Sequence, residues 1–231
     1  MADPGVRPYP FVGRQRESAC VRAELEAGRS VVLSGTWGIG RTALVRNVAE
    51  GMAREWLFVF ADFDRAPGQV WRDLLGAIFP RAQERLRTEG RSAKWMQYRV
   101  SNRRLEDTRR HVVVLDDVAR LTAPRLDAIR RLRERFQLVV IAEGFLPEEA
   151  TAALCAALQA RRPLRLGHLR QAATVAFFEE CSRRHGFGWG EGEVQGLARA
   201  TGGFPLGMRE AVGAELRRRK RESGRASLAR A

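Results

Sequence analysis

Lysine is nearly missing from this sequence. Only Lys94 and Lys220 occur, so arginine supplies the other 39 of 41 basic residues. Cysteine is scarce as well: Cys20, Cys155 and Cys181 are odd in number, far apart and form no C-x-x-C pair. This argues against a disulfide framework or a cysteine zinc site, and fits reduced thiols packed inside a cytosolic protein. His111, His168 and His185 show no metal-ligand spacing. No apolar run approaches the roughly 18–20 residues of a membrane span, and residues 1–10 hold no apolar signal core. The expectation is a cytoplasmic protein with no membrane contact. No internal repeat is visible.

What is present is enough apolar material for a sizeable core. The chain has 231 residues, 45% hydrophobic and 29% charged, which suits one large domain or a core with a small appendage. The net charge is +14 and unevenly spread. Residues 81–110 carry an excess of +6 and residues 214–231 an excess of +5. Such clustering points to an anionic partner, whether nucleic acid, an acidic protein surface or anionic lipid. The arginine skew also suits ordinary solvated helix faces.

Four short apolar runs read as buried strands: Ser30–Ser34, Leu57–Asp62, His111–Asp116 and Leu138–Ala142. Helical periodicity lies between them, over Thr42–Arg54, Gln69–Ile78, Pro124–Phe136 and Pro147–Ala160. Continuous apolar strands alternating with helices imply a parallel sheet covered on both faces. After Pro163 three helical stretches follow, Arg170–Arg184, Glu191–Ala200 and Leu206–Arg219, and no further strand of length appears. The expected fold is α/β, a three-layer P-loop core over 1–165, then a small α-helical lid over 166–218. A basic, fraying tail over 219–231 would complete it.

The chemistry concentrates in Gly35-Thr36-Trp37-Gly38-Ile39-Gly40-Arg41-Thr42. This stretch follows a strand and opens the helix at Thr42, the context that G-x-x-x-x-G-K-[ST] requires, and Ala43 next to it is counted with the nucleotide-binding residues. Its glycines let backbone N–H groups converge on phosphate oxygens, and the helix N-terminus adds partial positive charge. Thr42 supplies a hydroxyl for Mg²⁺. Arg41 stands where lysine is usual, and the exchange is not conservative: a planar fork replaces a point charge. The strand ending Leu115-Asp116-Asp117 has the Walker B form, with Asp116 as the Mg²⁺ residue and Asp117 as the base that orients water. ATP or ADP with Mg²⁺ is the expected ligand set.

Phe11-Val12-Gly13-Arg14-Gln15-Arg16-Glu17, the loop Gly35–Thr42, Leu115-Asp116-Asp117-Val118 and Thr201-Gly202-Gly203-Phe204-Pro205-Leu206 together resemble the AAA+/STAND P-loop ATPases. The likeness covers about 11–212. It implies that Val12, Gly13 and Arg14 lie against adenine, and that Pro205 approaches the base and sugar. It also implies a sensor-2 role for Arg209, an arginine finger at Arg161 or Arg162 serving a neighbouring subunit, and a sensor-1 position near Ala142–Glu143. That last position lacks the usual polar or basic residue. Units of this size with basic surfaces resemble ATPase helpers of transposition and replication, which form rings or filaments on DNA.

Within the basic stretch, Arg91, Lys94, Arg99, Arg103 and Arg104 interleave with Trp95 and Tyr98. That pattern suits a nucleic-acid track of phosphate contacts and stacking, or equally a packed helix with its aromatics inward. Two readings follow. One is an ATP-dependent helper that oligomerises on duplex DNA, beside a partner such as a transposase. The other is a STAND-like switch acting on an effector protein without nucleic acid.

Overall fold

The computed structural model describes residues 9–80, 90–105 and 107–228. Residues 81–89 and Glu106 of the basic stretch, and 229–231 of the basic tail, lie outside the described residues.

The β-branched runs form the strands their composition favours. They are β1 Val31–Gly35, β2 Trp56–Asp62, β3 Arg110–Val118, β4 Gln137–Glu143 and the two-residue β5 Leu164–Arg165. The sheet order is β2-β3-β4-β1-β5, and each neighbouring pair is parallel. The helices of this part are α1 Gln15–Glu26, α2 Arg41–Met52, α3 Pro67–Ile78, α4 Ala93–Asn102, α5 Ala123–Arg133 and α6 Glu148–Leu158. Proline opens α3 and α5 in their first turn, where its missing N–H costs nothing. The fold is thus the expected α/β P-loop type. The sequence reading did not anticipate α1 or the short β5, and it offered α4 only as the packed-helix alternative for the basic stretch.

The chain groups into two compact units. One comprises Arg16–Trp37 and Arg41–Leu166; the other comprises Met1–Gln15, Gly38–Gly40 and Gly167–Ala231. The core of the first is built on β3 and β4, where Val113, Leu115, Leu138 and Val140 have no exposure at all. Leu74 and Leu75 of α3, Met96 and Val100 of α4, and Ile129 and Leu132 of α5 pack in the same cluster.

The second unit is helical: α7 Gln171–His185, α8 Glu191–Thr201 and α9 Pro205–Leu228. Its own core joins Phe177, Phe178, Cys181, Phe187, Val194, Met208 and Val212, with Tyr9 and Val12 against it. Periodicity ended the last helix at Arg219, but α9 continues to Leu228. Charge pairing explains the extension. Glu215 lies one turn before Arg218 and Arg219 and bonds both, and Arg218 reaches on to Glu222. The two arginines hold the Glu215 carboxyl down at about 2. Cys181 is buried and Cys155 half-buried, whereas Cys20 is exposed, so only part of the expected thiol packing is found. No described helix is long and apolar enough to cross a membrane.

Leu115 sits fully buried in the middle of the sheet, so Leu115→Ala is expected to cost about 2–5 kcal/mol of unfolding free energy in urea titrations. An unchanged midpoint would contradict the sheet core described here.

Candidate phosphate-binding site at the strand ends

β1 runs into the glycine loop at Gly35, and α2 begins six residues later at Arg41. Between them Gly38 and Gly40 take φ of 81° and 92°, in the left-handed region that a side chain resists. At Gly38 a Cβ would also come within 2.8 Å of Leu206 Cβ. The loop's glycines are therefore required by its shape. Trp37, within the same loop, is 68% exposed.

Thr42, on the first turn of α2, donates its hydroxyl to Asp116 Oδ2 at 2.9 Å. This joins the glycine-loop threonine to the aspartate near the end of β3, 74 positions further along the chain. Asp116 stands opposite Asp62 in the register of β3 on β2. Next to it the chain leaves regular pairing through a bulge between Leu115 and Val118. Asp117 there adopts φ 57°, one of two non-glycine residues with positive φ among those described. Its N–H is donated to Asp116 Oδ1 at 3.1 Å. Strain of this kind costs on the order of 1–3 kcal/mol. It turns the Asp117 side chain out of the strand and leaves it exposed. Partial desolvation raises the Asp117 pKa, and the charges of Asp116, Glu143 and Asp62 add to the rise, against an opposing pull from Arg41.

Arg41 does not project freely. It is only 5% exposed. Its Nη1 donates to the carbonyl of Gly35 at 2.8 Å and to that of Ala142 at 2.6 Å, and its Nη2 donates to the Glu143 carboxylate. Glu143 is likewise buried, at 6%. Gly144 follows, pressed so close to the loop that a Cβ there would lie 2.9 Å from the Gly35 carbonyl carbon. The Ala142–Glu143 position thus contributes a counter-ion to Arg41. Sequence reasoning placed the position and missed this role.

The other expected residues divide between the two units. In the helical unit Gly13 (φ 69°) would bring a Cβ within 2.5 Å of Ala173 Cβ, so the F-V-G-R box packs directly on α7. Arg14 is buried and donates to the carbonyls of Ile39 and Gly167, at 3.3 and 2.5 Å. Its guanidinium thus ties its own unit together. Arg209 is exposed, with its guanidinium carbon 5.0 Å from the centre of the Tyr9 ring. In the sheet unit, Arg161 and Arg162 are exposed in the turn before β5. They make no hydrogen bond or ion pair with Arg41, Thr42 or Asp116 among the described contacts.

The basic stretch splits by role. Arg91 and Arg99 both lie over Trp95, at 5.2 and 5.4 Å. Arg103 lies over Phe79 at 5.5 Å, and its carbonyl accepts from Arg135. Arg99 and Arg103 are half-buried, their charge spent partly on packing. Lys94 and Arg104 are exposed. With Tyr98, 63% exposed, they line an open groove of about 900 Å³ that also takes in Asn102, Arg131 and Arg135. Asp127 and Glu134 share that groove, and Asp127 holds Arg131 at 2.8 Å.

Comparison with known proteins agrees with this architecture. A family model described as an AAA ATPase domain matches residues 10–146. No curated protein matches the chain. Among solved structures, the Aeropyrum pernix ORC1 protein in complex with DNA is similar with a TM-score of 0.68 at 17% identity, covering 93% of this chain and 63% of that one. A Thermotoga maritima RuvB variant gives a TM-score of 0.58 at 14% identity, covering 90% and 65%. A Walker-type ATPase of Pyrococcus abyssi gives 0.55 at 14% identity, covering 96% and 80%. At such identities the likeness shows a common fold, and the chain spans less than two thirds of the ORC1 and RuvB chains.

The raised Asp117 pKa has a sign that can be measured. Folding disfavours the ionised carboxyl, so its penalty is absent well below the unfolded carboxylate range and full above the folded value. Asp117→Asn keeps a residue that tolerates positive φ and removes the charge. It is expected to raise the melting temperature at about pH 7, with the gain shrinking toward about pH 3. A gain independent of pH would contradict the electrostatic origin.

Proposed function

The chain belongs to the AAA ATPase domain family, and from that premise we propose that it is a magnesium-dependent ATPase that assembles as a homo-oligomer on duplex DNA and acts as a helper to other DNA-processing proteins. Nucleotide binding follows from the family; hydrolysis, DNA and assembly are the proposed part.

The strand ends fit the Mg²⁺-nucleotide that such a site takes. Thr42 Oγ1 and Asp116 Oδ2 are hard oxygen donors already 2.9 Å apart. A cation with few protein ligands and several waters suits that pair. Bound there, Mg²⁺ would neutralise charge developing on the transferred phosphoryl group. In this reading phosphate oxygens would accept from backbone N–H groups at the N-terminus of α2, which begins at Arg41. Asp117, turned out of the strand with a raised pKa, is suited to accept a proton from water. Val12, Gly13, Arg14 and Pro205 are assigned to the base and sugar side, with Arg14 acting through the backbone it ties. Arg209 is assigned to phosphate sensing, and Arg161 or Arg162 to the site of a neighbouring copy.

The DNA part is carried by one observation: α4 presents Lys94 and an exposed Tyr98, and Arg104 just past its end lines the same groove, in a chain of net charge +14. Cations in an open groove suit a phosphate backbone, and the ring suits a sugar or base. The neighbour ORC1 was solved with DNA, and the shared fold makes the same class of ligand reasonable here. A STAND-like switch, acting on an effector protein, is the second reading. It is favoured by Arg41, whose engagement with Glu143 suits a state that binds nucleotide without rapid turnover.

The tests are direct. Duplex binding is expected to rise with ATP and Mg²⁺ and to fall steeply with salt. Replacing both Lys94 and Arg104 by alanine should flatten the logarithmic salt slope by about two. No duplex binding at low salt, with ATP and Mg²⁺ present, would reject the helper reading and favour the switch.

A further inference from the structure

A phosphate loop normally offers a free cation at the position of Arg41, yet here that charge is already engaged. Three of the five guanidinium N–H groups go to Gly35, Ala142 and Glu143. Glu143 stands opposite Gly35 in the β1–β4 register, so the carboxylate is set at the root of the loop by the sheet itself. The planar fork of arginine reaches two carbonyls with one nitrogen and the carboxylate with the other, a spread that the single ammonium of lysine does not match. Two departures from the usual pattern, arginine in the loop and glutamate at the end of β4, therefore form one buried ion pair.

The surrounding charge sharpens the point. Asp62, Asp116 and Asp117 stand at the ends of β2 and β3, and Asp62, Asp116 and Glu143 each act on Asp117 to raise its pKa. Asp62 is met by Arg65 at 3.2 Å, near the surface. With Arg41 held by Glu143, an incoming phosphate near Asp116 and Asp117 has to draw this guanidinium from a carboxylate it already pairs with.

We propose that Glu143 sets the affinity and the metal dependence of nucleotide binding by holding Arg41, so that a nucleotide phosphate has to compete with this carboxylate for the guanidinium. The proposal rests on the nucleotide reading above and makes Glu143 a positioning residue, acting through Arg41. Magnesium then does more than in a loop with a free cation, because it supplies positive charge that Arg41 withholds. Glu143→Gln keeps the side-chain volume and one acceptor for Arg41 while removing the competing charge.

The experiment compares ADP binding by the full chain, wild type and Glu143→Gln, with excess magnesium and with EDTA. Wild type is expected to bind ADP with magnesium and far more weakly in EDTA. Glu143→Gln is expected to bind ADP in EDTA about tenfold tighter than wild type or more, the scale of one charge-assisted hydrogen bond. It should gain less when magnesium is present.

A second readout needs no nucleotide. Arg41→Met leaves Glu143 buried and unpaired and should lower the melting temperature by on the order of 10 °C. Arg41→Met with Glu143→Gln should recover most of that loss. Equal ADP affinity of wild type and Glu143→Gln in EDTA would overturn the proposal. So would a double variant melting no higher than Arg41→Met. A wild-type chain that binds no ADP even with magnesium would instead defeat the nucleotide reading, and the proposal with it.

Discussion

Carboxylates gather at the carboxyl ends of β2, β3 and β4, and the buried guanidinium of Arg41 is set against them. Parallel pairing brings this about. Each strand runs the same way, so Asp62, Asp116, Asp117 and Glu143 reach the same edge of the sheet. Gathering like charges at one edge is costly, most of all for the buried Glu143, unless they are paired or take up a cation. The chain answers in three ways. Arg41 bridges β1 and β4 through Gly35, Ala142 and Glu143. Thr42 donates to Asp116. Asp117 is turned out of the strand at φ 57°, its pKa raised by desolvation and the neighbouring carboxylates. The rest of the sheet unit, with Val113, Leu115, Leu138 and Val140 at zero exposure, is the dry support that holds these groups in register.

Much of this was legible in the sequence because it depends on local pattern. Runs such as Val112–Leu115 have no polar position to expose, so they read as strands buried on both faces. The phosphate loop was legible because Gly38 and Gly40 take backbone angles that other residues avoid. The threonine and the aspartate of the two motifs do meet, as their types require.

What stayed hidden depends on partners distant in the chain or on conformation. The pairing of Arg41 with Glu143 spans 102 positions. Its only trace was two unusual residues, each noted separately and neither explained by the other. The left-handed Asp117 follows from a bulge that no residue type signals. In the basic stretch, composition counted charges without saying where they point. Arg99 and Arg103 lie over aromatic rings, while Lys94 and Arg104 face outward. In α9, the Arg218–Glu222 pair and the Ser223 hydroxyl on the Arg219 carbonyl support the turn past Arg219, which composition alone suggested would fray.

The same physical pattern governs the functional reading. With the loop cation already held by a carboxylate, nucleotide in the proposed function is bound through backbone amides and metal. Everything proposed about DNA, assembly or switching presupposes that binding. The most direct measurement is therefore a calorimetric titration of the wild-type chain with Mg·ATP, repeated on Gly40→Val, whose new side chain cannot adopt the φ of 92° without strain. The account predicts one site per chain in the wild type and its loss in the variant. No binding by the wild type, or equal binding by both, would contradict it.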